Sequence, residues 1–179
     1  AARAWGEYNL NAGDAIVLTE MEHHSDIVPW QMLAERIAVE LRFVPVEEGR
    51  LDMDALEVAL EGAKLVCVVH TSNVLGVRNP VEEIIAMSKK VGARVLIDAA
   101  QAVPHELIDF KELGADFLAF SAHKMCGPTG IGALLISEDA FSEMEPFMGG
   151  GDMIETVTLE GSTYQTNEHK FEAGTPRIA

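Results

Sequence analysis

Cysteine is scarce in this 179-residue chain, which has only Cys67 and Cys126. Cys67 lies in an apolar strand-like run and Cys126 in a polar turn. Two cysteines in such unlike settings make no disulfide framework, so a reducing, cytoplasmic setting is expected. Basic residues are also few. Thirteen Lys and Arg stand against 29 Asp and Glu, a formal net charge of −16. That balance argues against nucleic acid or an anionic membrane as partner. Any phosphate must then be held by locally placed donors rather than by the overall field. Although 48% of the residues are hydrophobic, no apolar run reaches the length of a membrane span. There is no signal peptide, basic targeting segment, repeat or low-complexity tract. The chain begins without Met, in a helix-like stretch over 1–8, and stops just after a loop motif. It reads as an excerpt from a longer protein, with length for one domain and a proper core.

What is present is alternation. Apolar strand-like runs occur at 15–19, 41–46, 64–70, 93–98, 117–120 and 131–136. Between them lie helical patterns at 27–40, 52–61, 79–92 and 109–113, with another at 138–145. Pro29 is expected in the first turn of its helix, and Asp52 as a cap. From Pro146 the pattern dissolves into Gly149-Gly150-Gly151 and short β-like pieces. Strands alternating with helices predict an α/β three-layer sandwich, a mostly parallel sheet with helices on both faces. In such sheets the site lies outside the carboxyl ends of the strands. The polar residues just past those ends are His23 and His24, Thr71 to Asn73, Asp98 and Gln101, and Ser121, His123 and Lys124.

Lys124 stands out among the lysines. Phe117 to Phe120 lead into Ser121-Ala122-His123-Lys124, and a breaker-rich Gly127-Pro128-Thr129-Gly130 follows. A lysine framed by a buried strand and a glycine turn is a candidate Schiff-base former, because a desolvated amine becomes nucleophilic. Asp98 reads either as a cap for the segment from Ala99 or as the partner of a protonated pyridine nitrogen. The second reading joins it to Lys124 as the signature of pyridoxal phosphate chemistry. His23 and His24 read as a cap region, a weak metal site, or a ring-stacking imidazole. No third zinc ligand stands at a sensible spacing, so no metal is expected. Asn73 and Gln101 stabilise turns or bond ring and substrate oxygens. Ser121 and His123 cap a turn or donate to phosphate. Gly127 to Gly132 precedes a strand rather than opening a helix, so it is no dinucleotide fingerprint. It is expected to let the backbone turn tightly beside the lysine.

Six stretches in order carry a resemblance: E-M-E-H-H-S-D-I-V-P-W-Q, H-T-S-N-V-L-G, I-D-A-A-Q-A-V, F-S-A-H-K-M-C-G-P-T-G-I-G, G-G-G-D-M-I and F-E-A-G-T-P. Together they closely resemble the Suf-type cysteine desulfurases of the class V aminotransferase group, enzymes of fold type I. The resemblance implies that 1–179 is the pyridoxal 5′-phosphate-binding large domain, incomplete at both ends and without the small domain. It implies that Lys124 carries the cofactor, Asp98 pairs with its ring nitrogen, and His23 stacks on the ring and moves protons. Gln101 would bond the ring hydroxyl oxygen, with Asn73 near it and the substrate carboxylate. Ser121 and His123 would hold the phosphate, and Thr175 would reach the phosphate of the neighbouring subunit in a homodimer. The implied reaction turns L-cysteine into L-alanine, with L-selenocysteine as alternative substrate. Sulfur stays as a persulfide on an enzyme cysteine and passes to an acceptor protein for iron–sulfur cluster assembly. The family's upstream threonine loop, its persulfide cysteine and its substrate-binding arginine are not among these residues, so the excerpt alone is expected to be inactive. Selenocysteine lyases, epimerases and kynureninase-like hydrolases share the group, and a non-catalytic domain retaining the fold is the alternative outside enzymes.

Overall fold

The computed structural model describes residues 1–175. The first helix, α1, is π-helical over Ala2–Gly6 and α-helical over Glu7–Asn9. Strand β1 (Ala15–Thr19) leads to α2 (His24–Ile37) and β2 (Glu40–Val44). A short hairpin of β3 (Val46–Glu47) and β4 (Arg50–Leu51) precedes α3 (Met53–Ala59). Then come β5 (Ala63–Val69), α4 (Val81–Lys90), β6 (Arg94–Asp98), α5 (Phe110–Leu113) and β7 (Phe117–Ser121). A 3-10 turn over Ala122–Met125 joins β7 to β8 (Gly132–Ile136), and α6 (Glu138–Ser142) follows. The chain closes with a hairpin of β9 (Ile154–Val157) and β10 (Ser162–Tyr164), and a 3-10 turn over Glu168–Phe171.

The main sheet has the order β2-β1-β5-β6-β7-β8. It is parallel from β2 to β7; β8 runs antiparallel to β7. A helix crossover lets a strand return parallel, whereas the short turn between β7 and β8 forces reversal. β1, β5 and β6 are buried or nearly so along their length, as continuous apolar runs between two helical layers should be. One core cluster joins Val66, Val68, Val95 and Ile97 to Leu56 of α3 and Ile84 of α4. The other joins Ile16, Leu18, Leu65 and Phe117 to Trp5 of α1 and Leu33 of α2. Helices therefore cover both faces, as the alternation predicts.

Local differences have identifiable causes. Helix α2 starts at His24, three residues before the expected position, because the His23 imidazole serves as its cap. Pro29 consequently lies in the second turn rather than the first. The helix ends at Ile37, before the expected Glu40, where Ala38 adopts a left-handed conformation at φ 58°. The strand expected to run to Val46 breaks at Pro45, which offers no N–H, and the chain turns into the β3–β4 hairpin. Glu48 (φ 50°) and Gly49 (φ 77°) form its turn, the two positive φ values that a tight hairpin with right-handed twist requires.

Candidate active site

The strand order reverses between β1 and β5, so the loops leaving their carboxyl ends diverge and open a crevice. Beyond Thr19 the chain runs through Glu20 to His23 into α2. His23 Nδ1 accepts the Ser25 N–H at 3.2 Å and lies 2.7 Å from Ser25 Oγ. Asp98 ends β6, level with Val69 of β5 and Ala119 of β7. One of its oxygens, Oδ1, accepts the Ala100 N–H at 2.8 Å. This is the capping role anticipated for it, over a turn rather than a helix, and the side chain also faces the crevice.

Ser121 ends β7 opposite Gly132. The 3-10 turn that follows carries His123 and Lys124. The Ala122 N–H donates to Ile131 C=O at 3.0 Å, and the Gly127 N–H to Ala122 C=O at 2.8 Å. Glycine is needed twice here. A Cβ on Gly127 would sit 2.9 Å from Ala122 Cβ, and one on Gly132 would sit 2.6 Å from Phe120 O. The glycine-rich segment thus pins the lysine turn against the strand end, as its sequence suggests.

His23, Asp98, Ser121, His123 and Lys124 line one cavity of about 580 Å³, within the usual size of a small-molecule site. Trp30, Leu96 and Leu134 supply apolar wall. The other expected site residues lie elsewhere. Asn73 is exposed in the turn after β5, Gln101 is half-buried in the turn after β6, and neither lines this cavity. Thr175 lines a separate cavity of about 610 Å³ with Asp152, Gln165 and His169.

Two acids beside the cavity escaped the sequence reading. Glu22 and Asp26, flanking His23, are 6% and 8% exposed. Burial pushes the Asp26 carboxyl up to about 7, with the charge of Asp98 adding and the indole of Trp30 opposing. Burial, then Asp26, pushes Glu22 well above the ordinary range. A signal for Asp26 was present in its spacing from Trp30. One helical turn separates them, and Trp30 Nε1 donates to Asp26 Oδ1 at 3.2 Å.

The amine, the strand-end carboxylate and the hydroxyl and imidazole donors form a set suited to an anionic carbonyl compound with a cationic ring. The family model described as aminotransferase class-V matches residues 1–179.

The chain belongs to the class-V aminotransferase family.

A curated relative, the cysteine desulfurase of Haloferax volcanii, is 50% identical over 99% of this chain and 42% of its own length. The crystal structure of the cysteine desulfurase CsdA from Escherichia coli superposes with a TM-score of 0.92 at 35% identity, over 99% of this chain and 45% of that one. A variant of C-DES with glycine covalently linked to its PLP cofactor superposes with a TM-score of 0.81 at 30% identity, over 94% of this chain and 46% of that one. The chain spans less than half the length of each. Within this class-V chain the family's sheet carries the cavity at the strand ends, on the side where α2 and the lysine turn meet.

Proposed function

We propose that residues 1–179 form the cofactor-binding large domain of a pyridoxal 5′-phosphate-dependent cysteine desulfurase of the Suf type. The observation that carries the reading is the convergence of His23, Asp98, Ser121, His123 and Lys124 on one cavity from three separate segments of chain. The relatives called cysteine desulfurase support it, as does the cofactor named for C-DES.

The donor set fits this cofactor. Lys124, half-buried in its turn, is the amine that anchors it. Ser121 and His123 are the local donors that a phosphate needs in a chain of net charge −16. Asp98 has one oxygen held by the Ala100 N–H, which orients the carboxylate to keep a proton on a ring nitrogen. An opposite charge at contact raises such a group's pKa by roughly 1–3 units. His23, fixed as the cap of α2, would cover the ring face and move protons; Gln101 and Asn73, which the resemblance assigns to the ring hydroxyl and the substrate carboxylate, stand in turns outside the cavity lining. When bound, the cofactor supplies an electron sink for the substrate's α-carbon. Lys124 Nζ then holds the proton that this carbon loses and regains.

In the overall reaction the Cβ–S bond of L-cysteine breaks, a C–H bond takes its place in L-alanine, and the sulfur forms an S–S bond on an enzyme thiol. Neither cysteine of this chain suits that thiol. Cys67 is wholly buried in β5, and burial raises its thiol well above the ordinary range. Cys126 is exposed in a left-handed turn outside the cavity lining. The reading therefore places the accepting thiol outside these 179 residues and expects them to be inactive alone. It also includes a sulfur-acceptor protein for iron–sulfur cluster assembly, a cytoplasmic setting, and a homodimer. Thr175, lining a different cavity, suits a role toward the partner subunit's phosphate.

The test is to incubate the full-length protein, loaded with pyridoxal phosphate, with L-cysteine and to measure alanine and protein-bound persulfide. Equal amounts of both are expected. Cofactor binding without alanine would overturn the desulfurase reading in favour of another class-V reaction, and no binding would favour a non-catalytic domain.

A further inference from the structure

Glu22 and Asp26 are buried acids with half of their oxygens unserved. Glu22 Oε1 accepts from Thr19 Oγ1 at 2.6 Å and from the Val69 N–H at 2.9 Å. Asp26 Oδ1 accepts from the Trp30 indole. Glu22 Oε2 and Asp26 Oδ2 are buried with no hydrogen-bond partner. A buried polar atom left unpaired is costly, and a buried charge more so. Among the described residues no Lys or Arg side chain pairs with either acid. The ionisable side chains that act on it are Asp98 from β6 and Cys67 from β5. Asp98 adds a third carboxylate to the same region.

One proton resolves both defects. Each carboxyl group acts on the titration of the other, and each keeps one buried oxygen without a partner. Protonating either one turns one orphan oxygen into a donor and the other into its acceptor, and removes one of two adjacent negative charges. We propose that Glu22 and Asp26 share a single proton and act as a positioning pair that holds His23 at the cavity wall.

The geometry shows how the pair would do this. Glu22 immediately precedes His23 and is tied to the ends of β1 and β5 through Thr19 and Val69. Asp26 follows it in the first turn of α2, its N–H donating to His23 C=O at 2.8 Å. The shared proton closes the loop between these anchors and leaves His23 as its apex. Because burial holds Asp26 near neutrality, the proton is in place below pH 6 and departs above pH 7. Its loss puts two charges side by side at the root of the His23 turn. The effect on catalysis rests on the reading of His23 as a ring-facing residue; the proton sharing does not.

The apo form of the intact protein provides the test. Infrared difference titration should show a protonated carboxyl band at pH 6 that bleaches with a midpoint near 7 and is missing in Asp26→Asn. The indole N–H resonance of Trp30 should shift with the same midpoint in the wild type and stay fixed in Asp26→Asn. Protection of the Asp26 amide against hydrogen exchange should fall about tenfold for each pH unit between about 4 and that midpoint and level off above it. Absence of the band at pH 6, an unmoved indole resonance, or unchanged protection would each overturn the proposal. Should Asp26→Asn fail to fold, the wild-type titration and Glu22→Gln decide the same question. Finding the cofactor on a lysine other than Lys124 would defeat the functional reading and leave this titration untouched.

Discussion

The two ends of the parallel sheet treat charge in opposite ways. At the amino end, Arg94 of β6 bridges two acids. It donates to Asp116 Oδ1 at 2.7 Å and pairs with Glu143 through both Nε and Nη2. Asp116 Oδ2 also accepts the Val95 N–H at 2.8 Å, and Glu143 Oε2 the Trp5 indole at 2.8 Å. Each member of this triad has a partner of opposite charge. At the carboxyl end, Glu22, Asp26 and Asp98 gather with no cation paired to them, and Lys124 has no ion pair among the described residues. A group left unpaired in a folded protein costs stability, and such costs concentrate where a ligand is to be met. Lys170 sharpens the contrast. It is more buried than Lys124, but its amine is committed to Phe141 C=O at 2.8 Å and Met144 C=O at 2.9 Å. It fastens the last 3-10 turn to α6 with two of its three N–H donors.

This contrast predicts that substitutions at the two ends separate function from stability. The largest effect is expected for Lys124→Ala, which removes the proposed anchor and proton carrier. Alanine formation by the full-length protein should fall by at least the roughly 10²–10⁴-fold associated with a general acid–base group, while the urea midpoint barely moves. Asp116→Ala at the other end should do the reverse. Removing one partner of a largely buried ion pair costs about 3–5 kcal/mol, measurable by urea unfolding, while the folded enzyme keeps its rate.

A smaller effect follows from pH. Asp26 is raised to about 7 in the folded state, against about 3.9 when unfolded. Its favourable contribution is complete below pH 4 and is lost as pH rises through 7. The wild type should lose on the order of 2–4 kcal/mol across that window, and Asp26→Asn should flatten the curve. The smallest stability change belongs to Asp98→Ala, which forfeits only the cap on Ala100, worth about 0.5–2 kcal/mol. Its catalytic loss should be larger, roughly 10–10³-fold, if the carboxylate serves a ring nitrogen. Unfolding with intact chemistry in Asp98→Asn would return the residue to a purely capping role.

Much of this architecture is readable before any coordinates. The runs that became β1, β5, β6 and β7 are continuous apolar stretches bounded by turn residues, which is how strands buried on both faces must read. The rule that sites lie past parallel strand ends then points to His23, Asp98, Ser121, His123 and Lys124, which share the cavity. Asn73 and Gln101 satisfy the same rule, but their turns carry them away from it. The start of α2 was misplaced because an imidazole is an uncommon cap and the acidic E-M-E-H-H-S-D stretch looks like solvated loop. Glu22 is buried only because the ends of β1 and β5 enclose it, a tertiary effect that no local pattern announces. The last 3-10 turn owes its order to packing as well, with Phe171 set edge-on to Phe141 at 5.6 Å.

The lysine at the strand end is the centre of the proposal, and one experiment addresses it directly. The full-length protein is loaded with pyridoxal phosphate, reduced with borohydride, digested, and its labelled peptide sequenced. The expected result is a single pyridoxyl group on Lys124, within the peptide that spans the β7–β8 turn. A label on Lys170 or any other lysine, with Lys124 unmodified, would contradict it.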